Sequence, residues 1–279
     1  MKNLTAIILT YNEEENLKYC LESVSGLADE ILIVDSYSTD KTVEIAKKFG
    51  AEVFEHPFEN QAKQFNWALE NLEIKGDWIL RLDADEYLTK ELKAEIAEKL
   101  NAVSEEISGF YIKRRAYFMG RWIKHGGYYP TWILRLFRRG KAKSEERAMD
   151  EHIVLSEGKS AKLKNDFIDE MRKSLEWWTA KHNNYSTREA EERIKIAEGK
   201  SGFLKSGLEG QAKRKRALKN NFYLKLPLFC RSLFYFIYRY FFRLGFLDGK
   251  EGLIFHFLQG FWHQFLIDAK ICEKRKNKR

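Results

Sequence analysis

Three cysteines, Cys20, Cys230 and Cys272, stand far apart in the 279 residues. Their number is odd and their spacing fits no metal or redox motif, which argues against a disulfide framework and for a reducing compartment. Three prolines and 17 glycines are too few for a collagen-like or linker-dominated chain. No uninterrupted apolar run reaches the roughly 18 residues that a membrane-spanning helix needs, so no such helix is expected. Met1-Lys2 opens as a signal peptide would, but the apolar stretch ends at Tyr11 and runs into Glu13-Glu14-Glu15. No secretory signal is therefore expected, and a cytoplasmic location is.

What is present is a globular composition. Hydrophobic residues make up 44% and charged residues 32%, which excludes a disordered chain. The length suits one sizeable α/β core with an appendage, or one large domain. A net charge of +8 favours an anionic partner: a nucleotide diphosphate, an acidic membrane surface or nucleic acid.

The first half alternates strand and helix. Leu4 to Thr10 reads as a buried strand, with Asn12 at a helix N-cap and Glu13, Glu14 and Glu15 in the first turn. Glu30 to Val34 is a second strand, after which Asp40 caps a helix through Lys48 that Gly50 ends. Glu52 to Glu55 is a third strand, Asn60 to Leu72 a helix, and Asp77 to Leu82 a fourth strand. Thr89 caps a helix to Leu100. This order predicts a mostly parallel sheet covered on both faces. Gly109 to Phe118 and Trp132 to Arg138 read as strands joined by an aromatic, glycine-rich loop. After Glu170 the pattern is helical to the end. No linker-like stretch separates the two halves.

Ligands of open parallel sheets bind beyond the carboxyl ends of the strands. Thr10-Tyr11-Asn12-Glu13 follows the first strand, Asp35-Ser36 the second, and Asp83-Ala84-Asp85-Glu86 the fourth. Helix caps and turn residues are the structural alternative, an even one for Asn12 and Asp40. It is weakest for Asp83 and Asp85, since three acids in four residues bring nothing structural to a strand exit. On an extended segment residues i and i+2 point to one side, so Asp83 and Asp85 can share Mg²⁺ or Mn²⁺. Such a metal bridges phosphates and stabilises a departing diphosphate.

Ile7-Ile8-Leu9-Thr10-Tyr11-Asn12-Glu13-Glu14, Ile33-Val34-Asp35-Ser36 with Ser38-Thr39-Asp40 and Thr42, and Leu82-Asp83-Ala84-Asp85-Glu86 together resemble the family-2 glycosyltransferases of GT-A fold. The later part is similar to a branch that includes transferases of lipopolysaccharide inner-core assembly. That similarity rests on the run from Phe118-Met119-Gly120-Arg121-Trp122 through His125-Gly126-Gly127-Tyr128-Tyr129-Pro130, on Leu134-Arg135-Leu136-Phe137, on Met149-Asp150-Glu151-His152 and on Gly245-Phe246-Leu247-Asp248-Gly249.

The resemblance implies a donor pocket in which Thr10, Tyr11, Asn12 and Glu13 line the nucleobase and Asp35 and Ser36 meet base or ribose. It places Lys63, Asn66 and Ala84 near the nucleotide, Asp83 at ribose and metal, and Asp85 as the principal metal ligand. It also implies an inverting displacement in which a carboxylate takes the acceptor hydroxyl's proton: Glu151, with Asp150 its neighbour as the alternative. His152 orients a carboxylate, approaches the metal-diphosphate, or is a loop histidine bonded to backbone. Arg135, Arg138 and Arg139 serve phosphates or form the solvated side of an edge strand. Trp177 and Trp178 are core anchors or an acceptor platform.

Leu226 to Leu244 is rich in aromatics yet carries Arg231, Arg239 and Arg243. At 100° per residue the arginines share an arc with Ser232, Tyr235 and Tyr238. Phe229, Leu233, Phe236, Ile237, Tyr240 and Leu244 lie opposite, and Phe242 falls on the arginine arc. A second apolar segment runs from Leu253 to Ile267. Lys213-Arg214-Lys215-Arg216 precedes these segments, and a basic tail from Lys270 to Arg279 follows. Aromatic helices with basic flanks suit an anionic lipid surface. A packing layer on the sheet or an oligomer interface are the alternatives.

The expected organisation is a GT-A catalytic domain over residues 1–168 and a helical, membrane-associating region over 169–279. The expected protein is a metal-dependent inverting transferase, peripheral on the inner face of the cell membrane. It would move a sugar, from a UDP-sugar for preference, to a lipid-linked glycan or lipopolysaccharide-core-like acceptor. Three competing readings are a catalytically inactive membrane scaffold, a nucleotide- or RNA-binding protein of the same fold, and a nucleotidyltransferase. The intact carboxylates oppose the first. No recognition motif supports nucleic-acid binding. The glycine-rich phosphate loop expected of a nucleotidyltransferase is replaced by Tyr11-Asn12-Glu13-Glu14. Oligomeric state is not legible.

Overall fold

The computed structural model describes residues 3–145, 151–198 and 210–277. The chain forms two compact units, Met1–Arg115 with Thr131–Arg172, and Ala116–Pro130 with Lys173–Arg279.

The first unit begins with β1 (Leu4–Thr10), α1 (Leu17–Val24), β2 (Glu30–Asp35), α2 (Thr42–Lys48), β3 (Glu52–Glu55), α3 (Gln61–Asn71) and β4 (Trp78–Asp83). It continues with β5 (Glu86–Leu88), α4 (Lys90–Ala102) and β6 (Ile107–Phe118), whose last residues, with β7 (Arg121–Trp122), belong to the second unit. β8 (Thr131–Arg138), β9 (Ala142–Ser144), β10 (Ile153–Leu155) and β11 (Lys159–Glu170) complete it.

The main sheet runs β3-β2-β1-β4-β8-β6-β11-β5. β3, β2, β1 and β4 are mutually parallel, whereas β8 is antiparallel to both its neighbours and β5 to β11. The sheet is thus mixed: its first four strands are mutually parallel, and antiparallel pairings occur at β4–β8, β8–β6 and β11–β5. β9 and β10 pair separately. The chain steps outward from β1 to β3 and returns to β4 on the other side of β1. The carboxyl ends of β1, β2 and β4 therefore meet along one edge, at a switch point.

Alternation along β1 explains why both faces are covered. Leu4, Ala6 and Ile8 pack in one cluster with Leu17, Cys20, Leu21 and Val24 of α1. Ile7 packs in another with Phe65 and Ala68 of α3. Full burial of side chains of this size stabilises by about 1.5–3 kcal/mol each. Asn60 accepts the Lys63 N–H at 2.9 Å and Thr89 the Leu92 N–H at 3.2 Å, as expected of N-caps. Asn12 differs. It lies four residues before the cap of α1, which is Asn16, and takes φ +53°. Its amide is held by the facing loop rather than by a helix. β8 lies between β4 and β6, so it is not the edge strand considered for Arg135, Arg138 and Arg139. Arg138 and Arg139 instead donate to the carbonyls of Ile107 and Ile74, at 2.8 and 2.9 Å.

The second unit holds α5 (Leu175–Ala197), α6 (Gly210–Asn221), α7 (Cys230–Ile237), α8 (Gly249–Phe255) and α9 (His263–Lys276). Wider π-type turns over Tyr238–Phe242 and His256–Trp262 extend α7 and join α8 to α9. Ala190 of α5 packs on Ile267 and Ile271 of α9. Trp178 is buried and stacks on His182 with ring centroids 3.5 Å apart, in keeping with a core anchor. Among the described residues, no helix is long and apolar enough to cross a membrane.

Candidate active site

The β1–β2 register sets Thr10 beside Asp35. The Thr10 hydroxyl donates to Asp35 Oδ1 at 2.7 Å, and Ser38 donates to the same carboxylate from N at 2.7 Å and Oγ at 2.6 Å. Both Thr10 and Asp35 are buried. The loop after β1 is tied to the loop after β2 throughout: Asn12 N donates to Ser38 Oγ at 2.8 Å, Thr39 N to Asn12 Oδ1 at 2.8 Å, and Glu13 N to Thr42 Oγ1 at 2.7 Å. Ser36 Oγ accepts from buried Gln64 at 3.0 Å. Tyr11 and Tyr37 stay 58% and 53% exposed at this edge. Tyr37, like Asn12, holds a left-handed backbone, at φ +61°. Such strain concentrates at ligand sites. Sequence reading passed over Tyr37; its signal was an aromatic residue inside the serine-rich loop after Asp35.

Asp83, Ala84 and Asp85 do not form an extended segment. Ala84 and Asp85 make a tight turn between β4 and β5. The turn is closed by Asp83 N donating to Glu86 Oε2 at 3.0 Å. Two buried arginines surround it. Arg81 donates to Asp83 Oδ1 at 3.2 Å and Arg135 to Asp83 Oδ2 at 2.9 Å, while Arg135 also pairs with Glu86. Two of the three acids thus do have structural partners, contrary to the expectation that a strand exit gains nothing from them. Asp85 is the exception. Its half-buried side chain has no hydrogen bond or ion pair among the described residues. Arg81 was not singled out in the sequence, where it reads as one more residue of a hydrophobic strand.

Burial pushes the Glu86 carboxyl up to about 8; Arg135 opposes the rise, and the Asp83 and Asp169 carboxylates add to it. Arg135 is held firmly cationic: burial disfavours its charge, but Glu86 and Asp83 outweigh that.

A divalent cation fits this turn. Asp85 offers an unpaired hard oxygen ligand, and Asp83 lies two residues before it with its carboxylate oriented by the arginines. No group of three or more His, Cys, Asp or Glu among the described residues forms a closed cage. An open site of one or two carboxylates suits Mg²⁺ or Mn²⁺, which keep waters and bind phosphates.

The other candidates are placed as follows. Lys63 is exposed on α3 and pairs with Glu59. Asn66 clamps β9, donating to Ser144 O at 3.0 Å and accepting from Ser144 N at 2.8 Å. Glu151 is half-buried just before β10. His152 Nδ1 lies 3.7 Å from Glu145 Oε2. Met149 and Asp150 lie outside the described residues. In the second unit the motifs at 118–130 and 245–249 meet. Asp248 accepts from His125 N at 2.9 Å and His125 Nδ1 at 2.6 Å. Gly126, at φ +64°, leaves no room for a side chain, since an added Cβ would lie 2.1 Å from the His256 ring.

Residues 5–155 match the profile described as glycosyl transferase family 2, more than half of the chain. The chain belongs to this family. The mixed α/β sheet with C-terminal helices is its GT-A-like fold, and the protein is a glycosyltransferase. A lipopolysaccharide core biosynthesis glycosyltransferase of Rhizobium meliloti, LpsC, is 32% identical over 68% of this chain and 72% of its own length. An uncharacterized glycosyltransferase of Rickettsia bellii is 46% identical over 34% of this chain, a match that spans only about a third (32%) of that protein. Among solved structures, glucosyl-3-phosphoglycerate synthase of Mycobacterium tuberculosis, in complex with Mn²⁺ and UDP-glucose, is 22% identical with a TM-score of 0.34, over 42% of this chain and 44% of that one.

Proposed function

We propose that this family-2 glycosyltransferase is a metal-dependent inverting enzyme. It takes a sugar from a nucleotide-diphospho-sugar, preferably a UDP-sugar, and transfers it to a hydroxyl of a lipid-linked or lipopolysaccharide-core-like glycan at a membrane surface. The observation that carries this reading is the acidic turn after β4, where two buried arginines hold Asp83 and leave the Asp85 side chain without a partner among the described residues. Asp85, with Asp83, would hold Mg²⁺ or Mn²⁺, and the metal supplies positive charge to a leaving diphosphate. The laced loops at Thr10–Glu13 and Asp35–Thr39, with Tyr11 and Tyr37 at their edge, supply the pocket for base and ribose. Glu151 takes the proton of the acceptor hydroxyl as its oxygen bonds to the anomeric carbon, and the bond from that carbon to the diphosphate breaks. Asp150 is the neighbouring alternative. The acceptor class follows from the likeness to LpsC. The division proposed is a catalytic part over residues 1–168 and a helical, membrane-associating part over 169–279, with the helices themselves beginning at Leu175, after β11 ends at Glu170.

A thermal-shift panel of UDP, GDP, dTDP and CMP, each with and without Mn²⁺, tests this reading. A ligand that prefers the native state raises the melting temperature. A Mn²⁺-dependent rise with UDP is expected. No rise with any nucleotide, from folded protein, would count against a donor site.

A further inference from the structure

The helical unit is built with charge inside and aromatic rings outside. Arg231 and Arg239 are 3% and 4% exposed, and Asp268 is fully buried. Arg231 Nε donates to Asp268 Oδ1 at 2.9 Å. Arg239 Nε donates to Gly126 O at 2.9 Å, and its guanidinium lies 4.1 Å over the Tyr128 ring. Arg231, Ser232 and Arg239 of the arginine arc, which an amphipathic helix in water would turn to solvent, thus face inward, while Arg243 and Tyr238 of the same arc are exposed. On the opposite arc Phe229, Leu233 and Leu244 are exposed and Phe236, Ile237 and Tyr240 half-buried, and among the other rings of the segment Phe234, Phe241 and Phe242 are 58%, 55% and 75% exposed.

Phe241 joins a continuous band of rings through Tyr240, at 5.2 Å, and Phe234 and Phe242 are exposed on the same helical segment. Phe229, Phe265, Phe261, Phe257, Phe236 and Tyr240 follow one another with centroids 4.9, 5.6, 5.5, 6.1 and 5.5 Å apart. An apolar surface of this extent marks an interaction site.

The charge around the band selects its occupant. Residues 210–277 carry fourteen lysines and arginines against four acids. Lys213, Arg214, Lys215, Arg243, Arg275 and Lys276 are exposed. A second copy of the chain would bring like charge to this surface, whereas an anionic lipid layer brings the opposite charge. Each basic side chain near such a layer contributes about 1 kcal/mol. With no helix among the described residues able to cross a bilayer, the band lies in its plane.

We propose that the aromatic band of the helical unit docks in the headgroup layer of an anionic membrane, with Phe234, Phe241 and Phe242 inserted and the flanking lysines and arginines on lipid phosphates. This rests on the membrane-surface reading above and names the face that makes the contact.

The test is co-sedimentation of the full chain with vesicles of phosphatidylcholine alone and of an equal mixture with phosphatidylglycerol. The wild type binds the anionic vesicles and leaves the neutral ones. F234S/F241S/F242S weakens that binding roughly 100-fold without lowering the melting temperature in solution, since all three rings already face water. The single substitution Phe242→Ser, at the most exposed of the three rings, weakens it about fivefold and guards against a folding defect in the triple variant. K213Q/R214Q/K215Q removes the salt-sensitive part. Full binding by both serine variants would overturn the aromatic face while leaving membrane association standing. No binding by the wild type to anionic vesicles would overturn both. A dimer that forms in sedimentation equilibrium and is lost on serine substitution, without vesicle binding, would give the band to a second copy and overturn the lipid assignment.

Discussion

Arg135 donates to Asp83 at 2.9 Å from the neighbouring strand, and its guanidinium also pairs with Glu86. One buried cation therefore organises both ends of the turn that presents Asp85. Removing it takes compensation from the Asp83 carboxylate and pushes the Glu86 carboxyl, already raised by burial, further toward its neutral form. Breaking a buried pair of this kind costs about 3–5 kcal/mol. Arg135→Met is expected to lower unfolding free energy by that order in urea titrations. A change below about 1 kcal/mol would show that the cluster does not hold the turn.

Thr10 and Asp35 are the corresponding pair in the donor pocket. Thr10→Val keeps shape and removes the donor to Asp35. The lost hydrogen bond costs on the order of 1 kcal/mol. Because Asp35 also orders Ser38, donor affinity is expected to weaken by about tenfold while turnover at saturating donor changes little. Initial rates against donor concentration distinguish the two.

Glu151 is the proposed base. Glu151→Gln keeps size and hydrogen bonding and removes the proton acceptor, so turnover is expected to fall by roughly 10²–10⁴ with donor affinity retained. Steady-state rates together with nucleotide binding measure both. If Asp150→Asn has this effect and Glu151→Gln does not, the base is the neighbour.

Stability should depend on pH through two histidines of the helical unit. Burial holds His182 at about 4, with a backbone contact to Trp178 opposing and the charges of His263 and Lys181 adding. Burial likewise holds His263 at about 4. The unfolded chain binds protons at both near the ordinary value of 6.5. Between about 4 and 6.5 it therefore binds more protons than the folded chain, and stability falls as pH is lowered through that window. The contribution is fully present above pH 6.5 and is lost by about pH 4, on the order of 2–3 kcal/mol per site. His263→Phe is expected to flatten the fall in melting temperature between pH 7 and 4.5. An unchanged slope would contradict it.

Most of the parallel half was legible because its signals are local. β1 is a short, β-branched, mostly apolar run and β3 a four-residue strand with Val53 and Phe54 between glutamates, and both fall where expected. Asn60 and Thr89 cap their helices because the side-chain oxygen and the third N–H are neighbours in sequence. The mixed half, from β8 to β5, was less legible. β11 alternates lysine, serine and asparagine with a few apolar residues, so its twelve residues carry little period-two signal. Long-range pairing makes it a strand. The acids after β4 were found from position alone, but their division of labour was not. That Asp83 and Glu86 are held and Asp85 is not depends on Arg81 and Arg135, whose burial no local pattern announces. In the same way, the wheel grouped Arg231 with Ser232 and Arg239, but not the inward side they face. That side is set by Asp268 and Gly126, distant in sequence.

The most direct test of the account is Mn²⁺ binding followed by electron paramagnetic resonance, with wild type and Asp85→Ala. Wild type with UDP should suppress the signal of free hydrated Mn²⁺ more strongly than UDP alone. Asp85→Ala should lose that suppression, and with it transfer activity, at an unchanged melting temperature, because the side chain has no partner among the described residues to lose. Equal suppression by the variant would contradict the assignment of the metal to Asp85.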